Sequence, residues 1–184
     1  FSLLHCNSSY PSTHSEINLK FMSNLQSLYQ IPVGFSDHTT DLLASKSAIS
    51  LGANIIERHF TLSKRMEGPD HMLSSEQKEI SDLVQFKKYY RKFDLWFKKR
   101  SRKEKEQIKL ITGDGVKKIQ PNEYLTINSQ KKSLYAKKNI SKGEKFTKFN
   151  VSIKGPAGGL LPKYMGVILN KKSKAKIQKD EPIT

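Results

Sequence analysis

The sequence predicts an α/β fold with a parallel sheet over its first hundred residues, followed by a small β-rich module. Three observations predict it. Short apolar runs alternate with helical spacings in a unit of roughly 25 residues. The polar residues of that region gather just after the apolar runs. Beyond about residue 130 the texture changes to short apolar stretches broken by turns, and one motif recurs.

Ser2–Cys6 is the first apolar run, closed by the turn-forming Asn7, Ser8, Ser9, Pro11 and Ser12. Between Ser15 and Tyr29, Ile17, Leu19, Phe21, Met22, Leu25 and Leu28 predict a helix with one apolar face. Ile31–Phe35 is the second run, and Asp41–Leu51 reads as a helix ended by Gly52. Asn54–Phe60 is the third run, and a loop with Gly68-Pro69-Asp70-His71 follows it. Ser74 or Ser75 can cap a long helix toward Lys99. Short apolar runs divided by helices argue a parallel sheet, but three strands are not a finished one. Because the chain opens at Phe1 inside an apolar run, earlier strands are expected to be absent from this piece. Residues 1–100 therefore read as one domain, 101–130 as a charged linker and 131–184 as the β module. Within that module Ile140-Ser-Lys-Gly-Glu-Lys-Phe-Thr147 returns 37 residues later as Ile177-Gln-Lys-Asp-Glu-Pro-Ile-Thr184, which suggests two similar half-units packed together.

Composition removes several classes of function. No run of 18 apolar residues exists, so no membrane-spanning helix is expected. One cysteine, Cys6, excludes an internal disulfide and makes a reducing cytoplasm the default. The net charge of +16 invites a nucleic-acid reading, yet 28 of the 33 basic residues are lysines spread from Lys20 to Lys179. Groove readers and phosphate clamps lean on the planar fork of arginine, so solvated helix faces explain this charge better, and no nucleic-acid or membrane partner is expected.

In parallel α/β sheets functional groups sit at the carboxyl ends of strands. Here those ends carry Cys6-Asn7-Ser8, Ser36-Asp37-His38 and Glu57-Arg58-His59. His38 and His59 follow consecutive strands. Two neutral imidazoles there suit a borderline divalent ion, or else they are two hydrogen-bonded structural histidines. Glu57 lies two residues before His59 and shares its face of the strand, as a carboxylate for acid–base work or as an ion-pair partner. Gly68-Pro69 makes a stiff bend that either aims Asp70 into a site or simply turns the chain. Asn7, Ser8, Ser9 and Tyr10 offer uncharged groups to a polyhydroxy ligand. Cys6 has no evident base partner and reads as packed.

His5, Cys6, Ser8, Tyr10 and Pro11, then Gly34-Phe35-Ser36-Asp37-His38-Thr39, Ile56-Glu57-Arg58-His59-Phe60-Thr61-Leu62 and Gly68-Pro69-Asp70-His71 resemble the N-acetylneuraminate (sialic acid) synthase family. Gly113-Asp114-Gly115-Val116-Lys117 resembles the linker after the family's barrel. Lys132–Lys137, Gly143-Glu144 and Asp180-Glu181-Pro182-Ile183 resemble its antifreeze-like (SAF) domain. The resemblance implies the last strands and helices of a (β/α)8 TIM barrel, then a small β-clip antifreeze-like domain. It implies condensation of phosphoenolpyruvate with an open-chain N-acylhexosamine such as N-acetylmannosamine, with release of phosphate. A divalent metal, Mn or Mg, would be held by His38 and His59 and would polarise the sugar aldehyde. Asp70 would lie near metal and sugar, Glu57 near the reacting groups, Ser36 near phosphoenolpyruvate, and Ser8 and Tyr10 on the sugar side.

The resemblance further implies a domain-swapped homodimer whose antifreeze-like domain caps the partner's barrel with an arginine. The arginine position is Gly155 here, and the neighbouring Lys154 is the candidate substitute. Asp41 stands where glycine is common. The amino-terminal barrel half, with its phosphate-binding lysines and a further glutamate, is outside this sequence, so the piece is expected to be inactive alone. His71 favours the sialic or legionaminic branch over the pseudaminic one. The rival readings are a non-catalytic carbohydrate-binding relative and, more remotely, a nucleic-acid binder.

Overall fold

Three short strands form the frame of the first unit: β1 (Leu3–Cys6), β2 (Val33–Asp37) and β3 (Ile56–Arg58). They pair in parallel in the order β1-β2-β3, with Cys6 opposite Ser36, Ser36 opposite Glu57 and Asp37 opposite Arg58. All five residues of β2 are buried, as expected for a strand covered on both faces. Gly34 is required by packing. A Cβ there would lie 2.3 Å from the Ile55 carbonyl oxygen and 2.7 Å from Leu4 Cδ2. The computed structural model describes residues 1–89 and 92–184, which divide into two compact units, Phe1–Glu123 and Tyr124–Thr184.

Helix α1 spans Phe21–Tyr29 and does not begin at Ser15. Asn18 takes a left-handed backbone (φ 58°), and its side chain donates to the Val116 carbonyl at 2.9 Å and accepts from Gly115 N–H at 2.8 Å. Distant contacts therefore override local apolar spacing, although Ile17 and Leu19 remain fully buried. Helix α2 (Leu43–Ser50) starts where Asp41 Oδ1 accepts Leu43 N–H at 2.8 Å. Its buried Ala44, Ser45, Ser47 and Ala48 are small, so its backbone can lie close to the sheet. Gly52, in the left-handed region (φ 97°), ends it as the sequence predicts.

The single long helix predicted toward Lys99 is divided instead into α3 (Gln77–Tyr89) and α4 (Phe93–Lys98). Lys92 is extended, so α4 starts anew; Tyr90 and Arg91, which fell inside that predicted helix, lie outside the described residues. Helix α5 (Arg102–Thr112) corrects the reading of 101–130 as a linker. A capping box between Ser101 and Glu104 starts it, and its charged face conceals an apolar one. Ile111 joins the core around Phe35, and Ile108 joins a second cluster with Trp96, Phe86 and Leu83.

The second unit holds α6 (Tyr124–Gln130), β4 (Ser133–Ala136), β5 (Val151–Lys154) and α7 (Met165–Ile168), with β4 and β5 antiparallel. The internal repeat is built as two equivalent halves. Ile140 and Ile177 exchange both backbone hydrogen bonds at 2.9 Å. Phe146 N–H donates to the Lys171 carbonyl at 2.9 Å and Ile183 N–H to the Leu134 carbonyl at 2.8 Å, so each half closes on the other in the same way. Gly143 N–H donates to Ser173 and Asp180 N–H to Ala136, both at 2.8 Å, and both donors are left-handed. In each turn a glutamate caps the backbone three residues back: Glu144 accepts Ser141 N–H at 3.0 Å and Glu181 accepts Gln178 N–H at 2.7 Å. Phe146 and Ile183 occupy matching core places.

Candidate active site

Side chains alternate along a strand. Ser36 and His38 therefore share one face of β2, and Glu57 and His59 the same face of β3. The structure bears this out, with the Ser36 hydroxyl donating to Glu57 Oε1 at 2.7 Å. Just beyond the strand ends the His38 and His59 rings stand 5.6 Å apart between centroids and nearly perpendicular, at 87°. Tyr10, from the loop after β1, stacks on His38 at 4.0 Å and meets His59 edge-on at 5.5 Å. Asp70 Oδ2 lies 3.7 Å from His59 Nδ1. Six of the eight candidate residues (Tyr10, Ser36, His38, Glu57, His59 and Asp70) thus form one cluster at the carboxyl ends of the strands.

The proton on His38 is fixed by its neighbour. Nδ1 lies 2.8 Å from the Asn7 carbonyl oxygen, which can only accept, so Nδ1 carries the hydrogen and the neutral ring keeps its lone pair on Nε2. That is the arrangement of a metal-ligating histidine held by a backbone partner. An ion bound at about 2.1 Å by an imidazole nitrogen sits about 3.3 Å from the ring centroid, and the two centroids stand within twice that distance. Among the described residues no three His, Cys, Asp or Glu side chains stand together as a complete ligand set. His38 and His59 thus bring two imidazoles of the kind that ligate divalent ions, without a complete ligand set among the described residues.

The electrostatics match these roles. Burial pushes the Cys6 thiol up, and the nearby Glu57 carboxylate adds to the rise against the opposing effect of Ser36, so Cys6 stays a packed thiol. Burial also raises the Tyr10 phenol, helped by the charges of Asp70 and Glu57, which keeps it a neutral donor.

The two other candidates stand elsewhere. Ser8 is turned to the wall of the first unit, where its N–H and hydroxyl donate to Glu123 Oε1 at 3.1 and 3.2 Å. Burial alone would raise the Glu123 carboxyl, but hydrogen bonds from Gln120 and Ser8 and the charge of Lys117 hold it below its usual range. Lys154, at the end of β5 in the second unit, is ion-paired with Asp180. The Asn7 side chain is spent on structure, accepting from Ser9 N–H and Ser12 Oγ and donating to Glu16 and Asn122. Its contribution to the site is the carbonyl that orients His38. The sequence reading gave no role to Asp37 and Arg58, which form a buried ion pair on the opposite face of the same strands. Their adjacency to both histidines and their opposite charges were the available signal.

Parallel strands with their polar groups and two imidazoles gathered at the carboxyl ends, followed by a two-fold repeated β module, define an α/β protein with a strand-end site and an appended small domain. Residues 1–93 match the NeuB family and residues 131–184 the SAF domain. The chain belongs to the NeuB family. It is 39% identical over 184 residues to an uncharacterized protein of Methanocaldococcus jannaschii, covering 98% of this chain and 48% of that protein. It is 38% identical over 182 residues to the N,N'-diacetyllegionaminic acid synthase of Campylobacter jejuni, covering 99% of this chain and 49% of that enzyme. The crystal structure of the spore coat polysaccharide biosynthesis protein spsE from Bacillus subtilis superimposes with a TM-score of 0.77 at 23% identity, over 100% of this chain and 51% of that one, which shows a shared fold. The chain spans about half the length of the curated relatives it matches.

Proposed function

We propose that the chain is the carboxyl-terminal part of a nonulosonic acid synthase, joining phosphoenolpyruvate to an open-chain N-acylhexosamine such as N-acetylmannosamine and releasing phosphate. In this reading β1 to β3 are the last strands of a (β/α)8 barrel, and the second unit is a β-clip SAF domain that caps the barrel of a partner in a domain-swapped cytoplasmic homodimer. The observation that carries the proposal is the Ser36–His38–Glu57–His59 layer, on one face of two adjacent strand ends, in a member of the NeuB family.

The reaction forms a bond between C3 of phosphoenolpyruvate and the sugar aldehyde carbon, consumes a water and releases inorganic phosphate. A bound Mn or Mg would supply Lewis-acid polarisation of the aldehyde oxygen, with His38 Nε2 and His59 as its protein donors. Glu57, whose carboxylate is aimed by the Ser36 hydroxyl, takes the proton of the water that adds to C2 of phosphoenolpyruvate, while the aldehyde oxygen gains one as it becomes a hydroxyl. Ser36 lies beside phosphoenolpyruvate, and the Tyr10 phenol and Asp70 carboxylate hold the sugar hydroxyls. Ser8 backs the sugar side through Glu123. Lys154 offers a point charge to the sugar on exchanging its Asp180 partner, without the bidentate fork that an arginine would bring.

The test is phosphate release from phosphoenolpyruvate with N-acetylmannosamine and with its 2,4-diacetamido analogue. The chain is assayed alone and joined to an amino-terminal NeuB barrel half. Metal- and sugar-dependent release by the joined protein, lost in His38→Ala and His59→Ala, is expected. None is expected from the 184 residues alone, and release there would show that the site needs no further barrel strands.

A further inference from the structure

We propose that the buried Asp37–Arg58 ion pair is a positioning pair that sets the separation and orientation of His38 and His59; the inference rests on reading those histidines as one cation site. Asp37 precedes His38 and Arg58 precedes His59, and the two are register partners across β2 and β3. Because side chains alternate, the pair lies on the face opposite the imidazoles, where it can fix them without touching substrate. Its side chains are 0% and 2% exposed.

One guanidinium joins the segments that flank both histidines. Its Nη1 donates to Asp37, and its Nη2 donates to the carbonyl of Thr39, the residue after His38, at 2.9 Å. Its Nε donates to Ser75 Oγ at 2.7 Å, while Ser75 N–H donates to the His59 carbonyl at 2.7 Å. A longer contact at 3.4 Å reaches the carbonyl of Leu73, in the segment that returns from Asp70. Asp37 is equally committed: Oδ1 accepts the Thr39 N–H and hydroxyl at 2.9 and 2.8 Å, and Oδ2 accepts Ser45 Oγ. His38 is thus gripped through the residues on both sides of it, and His59 through the residue before it and through Ser75, which binds its carbonyl.

Energetics favour position over stability as the purpose. Desolvating two full charges is costly, and well-packed apolar side chains of similar volume commonly stabilise a fold as well or better. A charged pair that spends several of its donors and acceptors on the flanks of two site residues contributes direction, which an apolar pair cannot supply.

The test compares the full chain with the double variant Asp37→Leu/Arg58→Met, chosen because matched apolar residues keep the fold, and with Arg58→Lys. Two-bond 15N–1H spectra of the histidines read the His38 tautomer without metal, and Mn2+ titration followed by electron spin resonance reads the site with it. His38→Ala is the control. The expected result is an unchanged or raised melting temperature in the double variant, loss of the single Nδ1–H tautomer of His38, and Mn2+ affinity weakened roughly 10- to 100-fold, as for other partners that orient metal ligands. Arg58→Lys restores only part of that affinity. A double variant with the wild-type tautomer and Mn2+ affinity overturns the proposal and leaves the cation site standing. Absence of His38-dependent Mn2+ binding in the wild type overturns the cation reading, and the positioning role with it.

Discussion

Replacing Ile111 by alanine tests whether α5 belongs to the core of the first unit. Ile111 is 0% exposed and packs in the cluster of Phe35, Val33 and Leu19, whereas Leu110, one residue earlier, is 54% exposed. Truncation to alanine removes three carbons, worth about 2.4 kcal/mol at about 0.8 per methylene. The cavity left beside a rigid sheet adds to this and brings the cost to about 3–4 kcal/mol, within the range for buried Ile→Ala. The gain in helix propensity returns a few tenths of a kcal/mol. Trp96 is the only tryptophan and is buried in the first unit beside Ile108, so its fluorescence during urea unfolding reports that unit. With a slope of about 2 kcal/mol per molar, Ile111→Ala lowers the midpoint by about 1.5–2 M, and Leu110→Ala changes stability by less than about 0.5 kcal/mol. Equal midpoints for the two variants would refute the packing of α5 and return 101–112 to the status of a tether.

Glu57→Gln in the joined synthase should lower kcat about 10²- to 10⁴-fold with little change in KM for phosphoenolpyruvate, measured by phosphate release. Gly68→Ala should destabilise the loop that carries Asp70 by about 1–3 kcal/mol, seen in thermal melts, because Gly68 has φ 142° and a Cβ would meet His71 Cδ2 at 2.8 Å. Burial holds the His5 imidazole below the ordinary histidine value, against the hydrogen bond to the Ile17 carbonyl. The unfolded chain takes up a proton near pH 6.5 that the folded chain refuses, so stability falls below about pH 6.5 by up to about 1.4 kcal/mol per pH unit. Urea midpoints of His5→Gln should lose that part of the slope. His14 has the opposite sign: its hydrogen bond to Asp41 raises it despite burial. Its stabilisation is full below about pH 6.5 and is lost as pH rises through the raised value, so His14→Ala should differ from wild type at pH 6 and match it at pH 9.

The strand frame was legible because buried parallel strands announce themselves as apolar runs, and the register that joins Ser36 to Glu57 follows from strand alternation. What the sequence hid was set by distant partners. Asn18 leaves the helical region for contacts with Gly115 and Val116, which no local window contains. Ile108 and Ile111 stand at helical spacing inside a lysine-rich run, and the charges masked a buried face. Ser8 was read as a ligand contact because Glu123, its partner, lies more than a hundred positions away. Asp37 and Arg58 escaped for a different reason: charge ordinarily marks the surface, and only the register shows that these two meet out of water.

The pairing of 133–147 with 170–184 has a consequence for biosynthesis. Leu134 and Ala136 carry carbonyls whose hydrogen-bond donors, Ile183 and Asp180, lie in the later half of the repeat and are synthesised after them. The earlier half cannot complete its hydrogen bonding until the later half is made. Its apolar Leu134, Ile140 and Phe146 therefore await a mate in the nascent polypeptide. A ribosome paused before residue 177 would hold half a module with an open, lysine-studded edge.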